Sequence, residues 1–201
     1  MMKRALARIS AAAVLLSLAA SAGAADFTPL PQIERVMVTA PKPIADFALT
    51  AQDGKPFRSS ALHGRPTLVF FGFAHCPDVC PMALQKLSAL QKAAPKEMKG
   101  VRVVMISIDG DRDTPEAMRD YLHAFSPDFV GLTGPVADVR QIAAQFAATF
   151  FKDAPNPDGN YTVEHTARVF ALDRKGRLRA ELYDASVDAT GQVVRALLAE
   201  R

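Results

Sequence analysis

Apolar and polar positions along the chain alternate with different periods in different segments, and those periods predict most of its elements. Residues 67–73, which include Phe70, Phe71 and Phe73, form an unbroken run of strand-forming residues after a turn signal at 63–66. Such a run fits a strand buried on both faces. Residues 101–108 repeat the pattern. Between them, over 79–93, apolar Met82, Leu84, Leu87 and Leu90 recur at near-helical spacing with Gln85, Lys86, Gln91 and Lys92 in between, which predicts an amphipathic helix. Asp113-Thr114-Pro115-Glu116 opens another helix, with proline in its favoured early position and an acid near the positive end. A further helix is predicted over 136–146.

The two ends of this pattern are β-hairpins. Residues 47–51 and 56–58 flank an Asp53-Gly54 turn and read as a short hairpin. Residues 166–172 and 177–183 flank a turn at 173–176 and predict an antiparallel pair, followed by a helix over 187–199. Strands separated by helices and then a terminal hairpin make a mixed α/β sheet. A buried strand, a cysteine-bearing turn and a helix at its centre point to a thioredoxin-like fold: a mixed central sheet flanked by helices, with an N-terminal β-hairpin.

The first 25 residues stand apart. Lys3, Arg4 and Arg8 precede an apolar run from Ile9 to about Ala20, and then small residues, with Ala22-Gly23-Ala24 or Gly23-Ala24-Ala25 as cleavage triplets. This is the layout of a secretory signal peptide. The run falls short of the roughly 20 residues that span a bilayer, so cleavage and release into the periplasm is the expectation; an uncleaved leader would leave the protein at the inner membrane. No cysteine lies nearby to carry a lipid. The pI near 9.0 mostly describes this segment. It takes three of the 24 basic residues, and the remainder balances the 21 acids, which removes the charge argument for a nucleic-acid partner. Residues 26–43, rich in proline, read as an extended tether, and 44–201 as a single domain. With no interface signal, a monomer is expected.

Cys76 and Cys80 are the only cysteines. In an exported protein two cysteines ordinarily mean a structural disulfide, but a bridge across four positions closes a tiny loop and restrains the unfolded chain little. Both fall after the buried strand, at the start of the 79–93 helix, where unpaired N–H groups and the helix dipole are expected to lower their pKa values. Positions i and i+4 on a helical turn lie about 5–6 Å apart, so the sulfurs can converge on a metal or on each other. Two thiolates select Cu(I) or zinc, and a closed zinc site wants four ligands. A third ligand is therefore the feature to find. His63, His75, His123 and His165 are the histidines, and spacing alone does not choose among them.

Three motifs carry a resemblance. Gly72-Phe73-Ala74-His75-Cys76-Pro77-Asp78-Val79-Cys80-Pro81, then Ser107-Ile108-Asp109-Gly110-Asp111-Arg112-Asp113-Thr114-Pro115-Glu116, then Tyr161-Thr162-Val163-Glu164-His165-Thr166 resemble, in the same order, the Sco/SenC family of copper-binding proteins that assist assembly of cytochrome c oxidase. The resemblance extends over most of the chain after Pro43. It implies copper as the metal, as Cu(I) and potentially Cu(II), with Cys76, Cys80 and His165 as its ligands. It implies as partners the copper-accepting oxidase subunit and a second periplasmic copper carrier. Asp109, Asp113 and Pro115 match the family's acidic loop, with a shaping or partner-facing role. Glu164 stands where the family more often has Asp, and Thr166 where it often has Ser, swaps that keep the chemistry.

Other readings give different expectations. Cys76 and Cys80 as redox-active thiols would make an exported thiol-disulfide oxidoreductase without stable metal, although that class usually has two residues between its cysteines and here there are three. A peroxiredoxin-like peroxidase would carry Thr or Ser where Phe73 stands. Asp109, Asp111 and Asp113 alternate as in a calcium loop, but Gly110 is misplaced and Asp120 occupies the position of the closing glutamate, so a solvated acidic loop is expected.

Overall fold

The computed structural model describes residues 29–200, and the expected leader at 1–25 lies outside them. The strands are β1 (Val36–Lys42), β2 (Ala48–Ala51), β3 (Pro56–Arg58), β4 (Thr67–Gly72), β5 (Arg102–Ser107), β6 (Val130–Thr133), β7 (Phe150–Lys152), β8 (Val163–His165), β9 (Arg168–Leu172) and β10 (Leu178–Tyr183). The helices are α1 (Val79–Ala93), α2 (Pro95–Lys99), α3 (Pro115–His123), α4 (Val136–Gln145) and α5 (Val187–Ala199).

Eight strands form one sheet in the order β1-β10-β9-β4-β5-β6-β2-β3, while β7 and β8 pair only with each other. β4 lies at its centre, parallel to β5 on one side and antiparallel to β9 on the other. All six of its residues are buried, as the unbroken apolar run predicts for a strand covered on both faces. Phe71, Phe146 and Phe170 meet edge to face with centroids 5.3–5.8 Å apart, an arrangement that matches ring edges to ring faces. The mixed α/β sheet expected from the sequence is present.

The α3 start follows the motif that predicts it. Thr114 is the N-cap, its hydroxyl accepting from the Ala117 N–H, Pro115 fills the first turn and Glu116 adds negative charge there; each of these satisfies or favours the positive helix end. One expectation needs correction. Residues 26–43 are not a loose tether throughout, because β1 pairs antiparallel with β10 at the sheet edge. Pro41 lies within it, which an edge strand tolerates because one side of its ladder has no neighbour. The expected 47–58 hairpin is present and joins the sheet, β2 pairing with β6 through Thr50–Thr133 and Ala51–Leu132.

β4, β5 and β6 run parallel, so the loops after β4 and β5 emerge side by side at the carboxyl edge of the sheet. In open α/β sheets that edge is where ligands are held. The cysteine motif occupies the first of these loops and the acidic motif the second.

Candidate metal centre

β4 ends at Gly72, and the chain turns through 73–78 before α1 begins. The Cys76 N–H donates to the Phe73 carbonyl at 3.2 Å and the Ala74 N–H to Asp113 Oδ2 at 3.1 Å. Cys76 therefore precedes the helix, and only Cys80 belongs to its first turn, which corrects the picture of two cysteines on one helical face. The turn brings them together nonetheless: the Cys80 N–H points at Cys76 Sγ, 3.4 Å away. Both are free thiols, and Cys80 is completely buried.

His165 arrives from the other end of the sequence. It is the last residue of β8, opposite Phe150 on β7, and its ring is held edge-on between Phe70 and Phe73, each 6.0 Å away. Nε2 lies 3.5 Å from Cys80 Sγ, and Nδ1 faces the Thr166 carbonyl at 3.4 Å. That arrangement places the proton on Nδ1 and leaves the Nε2 lone pair facing the sulfur. The ligand atoms of Cys76, Cys80 and His165 all lie within 4.8 Å of one another, the one such group among the described residues.

Burial sets the protonation of the site. It lowers the His165 pKa below the usual 6.5, keeping the imidazole neutral as a ligand must be. It also pushes the Cys80 thiol well above its ordinary value, with the contact to Cys76 adding to the rise. The expected lowering is thus overturned for Cys80, because loss of hydration outweighs the dipole at the start of α1. A cation entering the site displaces that proton, so binding releases acid. Two sulfurs and one imidazole, with no carboxylate, form a soft three-donor set. That set fits Cu(I), and is one ligand short of a closed zinc site.

The remaining histidines stay apart. His75 is exposed, its Nδ1 3.7 Å from Asp113 Oδ1. His63 packs its ring against Gly176, and His123 closes α3. The acids of the second loop shape it. Asp113, fully buried, accepts from Ser107 Oγ at 2.6 Å as well as from Ala74. Asp109 accepts from the Tyr161 hydroxyl at 2.7 Å and from Arg112 Nε at 2.5 Å, and Asp111 pairs with Lys152. Tyr161 and Arg112 were visible within the motifs, but nothing in their spacing signalled this contact. An apolar groove of about 410 Å³ is lined by Phe70, Leu87, Val169, Leu182 and the exposed Met82.

Comparison with known proteins is decisive for kinship. The SCO1/SenC family model matches residues 37–198. The chain belongs to the SCO1/SenC family. Among SCO1/SenC relatives, an SCO2-like protein of Rickettsia conorii is 34% identical over 139 residues, 69% of this chain and 68% of the relative. The copper-bound structure of Bradyrhizobium japonicum ScoI is 36% identical, with a TM-score of 0.70 over 76% of this chain and 98% of that one. Copper-bound yeast Sco1 gives a TM-score of 0.71 at 27% identity, covering 79% of this chain and 90% of its own. The thioredoxin-like fold expected from the sequence is the fold of these SCO1/SenC neighbours.

Proposed function

We propose that this SCO1/SenC protein is an exported copper chaperone that carries one Cu(I) on Cys76, Cys80 and His165 and delivers it to the copper-accepting subunit of a cytochrome c oxidase. The observation that carries this reading is the convergence of two sulfurs and a neutral imidazole nitrogen; the copper-bound SCO1/SenC neighbours support the choice of metal. The signal-like segment at 1–25 supports export to the periplasm.

Delivery requires ligands that exchange. With three donors at the rim of the sheet, an incoming thiol or imidazole can bind the ion before the last of its first ligands leaves. His165, neutral and with its ring touched by two ring edges and one carbonyl rather than by a charged group, is suited to leave first. The closeness of Cys76 and Cys80 favours a second use. A Cys76 thiolate can attack an acceptor disulfide, releasing one acceptor thiolate and forming a mixed disulfide. Cys80 then displaces the other acceptor sulfur, leaving a Cys76–Cys80 bridge and two reduced acceptor thiols; the two electrons come from the pair.

Mixing the copper-loaded protein anaerobically with the reduced, metal-free copper domain of an oxidase subunit tests the proposal. Copper is expected to move to the acceptor, with no comparable transfer from His165→Ala. Copper that stays on this protein, while an oxidised acceptor is readily reduced, would make thiol reduction its function instead.

A further inference from the structure

We infer that Arg112 and Tyr161 are positioning residues for His165: together with Asp109 they fasten the hairpin carrying this ligand to the loop that also holds the cysteine turn. The inference rests on the copper reading above and adds how the third ligand is kept in place.

His165 sits on β8, which has no hydrogen-bonded neighbour in the main sheet. β7 and β8 make a separate ladder of three residue pairs, Phe150–His165, Phe151–Glu164 and Lys152–Val163. An isolated pair of strands this short is marginal by itself, so its placement depends on what it packs against. The Thr166 N–H bond to the Thr149 carbonyl closes its base, which is anchored by buried Phe150 and by Arg140 donating to the Phe150 carbonyl, while buried Val163 packs at its far end.

Farther along, a second set of contacts reaches the loop after β5. The Tyr161 hydroxyl donates to Asp109 Oδ1 at 2.7 Å, and Arg112 donates from Nε to Asp109 Oδ2 at 2.5 Å and from Nη1 to the Tyr161 carbonyl at 3.2 Å. The guanidinium also lies 3.7 Å from the centroid of the Tyr161 ring, and Lys152, paired with Asp111, sits 3.8 Å from the same ring. Asp109 is almost wholly buried, and hydrogen-bonded charge pairs so shielded hold their geometry more firmly than exposed ones.

Two details tie this clasp to the metal ligands. Phe73 lies within 5.9 Å of the Arg112 guanidinium and 6.0 Å of the His165 ring, so it links the clasp to the imidazole. Asp113, next in sequence to Arg112, binds the Ala74 N–H of the cysteine turn. One five-residue stretch of this loop, Asp109 to Asp113, therefore holds both halves of the site, the sulfurs through Asp113 and the nitrogen through Arg112 and Asp109.

The test uses the reduced, full-length mature protein, with Arg112→Ala, Arg112→Lys and Tyr161→Phe variants. Imidazole nitrogen resonances of His165 are recorded without metal, and Cu(I) affinity by competition with a chelator. Partners outside the first ligands typically change metal affinity about 10–100-fold when removed, and Arg112→Ala is expected within that range. It should also shift or broaden the His165 resonances while both thiols remain titratable. Tyr161→Phe, which loses only the hydroxyl, should move both readouts in the same direction by less. Arg112→Lys keeps the charge but not the planar fork, and should restore little. His165 resonances and copper affinity that match wild type in Arg112→Ala would overturn the inference. Should that variant not fold, the same match in Tyr161→Phe would overturn it. A wild-type protein that takes up no copper would instead remove the copper reading, leaving the metal-free resonances to decide the positioning role.

Discussion

Gly72 shows how closely a single residue can be fitted to the proposed metal centre. A Cβ at this position would lie 2.6 Å from Phe70 Cε1, 2.9 Å from Cys80 Sγ and 3.2 Å from Met105 Cε. The sulfur of Cys80 occupies space that any larger residue would claim, and the Phe70 ring beside it also touches His165. Gly72→Ala is thus expected to displace Cys80 directly and His165 through Phe70. Overpacking of this kind costs about 1–3 kcal/mol. Urea denaturation should show that loss, and chelator competition a weakened copper affinity; wild-type values in both would contradict this account of the glycine. The closeness of the two cysteines was legible from their spacing, which left a shared metal and a mutual bridge both open. His165 was not, because the 85 positions separating it from Cys80 are closed only by the fold, and resemblance to a family supplied it. The raised Cys80 pKa was misjudged for a related reason: helix position can be read from sequence, whereas complete burial of one particular thiol cannot.

Among the elements, the turn between α4 and β7 carries a conformational cost that can be removed. Ala147 has φ +54°, and the bonds from the Ala147 N–H to the Ala144 carbonyl and from the Ala148 N–H to the Ala143 carbonyl close the helix in the manner usually reserved for glycine. The left-handed conformation costs an alanine about 1–2 kcal/mol, partly offset by the roughly 0.5–1 kcal/mol that glycine loses through its freer unfolded chain. Ala147→Gly is expected to raise stability by up to about 1 kcal/mol in urea denaturation without altering copper affinity. A loss of stability would contradict the cost assigned to this turn. Long elements with a clear period, such as β4, α1 and α5, were legible from the sequence. β6 was not, since it has four residues and includes Gly131, whose missing side chain lets Met118 and Leu122 of α3 approach. β7 and β8, at three residues each, are too short to show any alternation. β1 was hidden by the prolines around it, which read as a tether until the edge of the sheet was seen to accommodate Pro41.

For the whole molecule, the parallel strands at the centre of the sheet decide where the chemistry falls. β4 and β5 deliver the cysteine turn and the acidic loop to the same edge, and the β7–β8 hairpin closes over them with the histidine. The sequence could name all three segments but not the parallel pairing and the separate two-stranded ladder that bring them together. Among the described residues no helix is long and apolar enough to cross a membrane. The central claim is that this fold presents one three-ligand copper site per chain. Copper stoichiometry and X-ray absorption on the reduced protein, loaded without oxygen and compared with His165→Ala, test it most directly. The account predicts one copper per chain bound by two sulfurs and one nitrogen, with the nitrogen lost in the variant. Copper bound without a histidine nitrogen in the wild type, or a spectrum unchanged by removing His165, would contradict it.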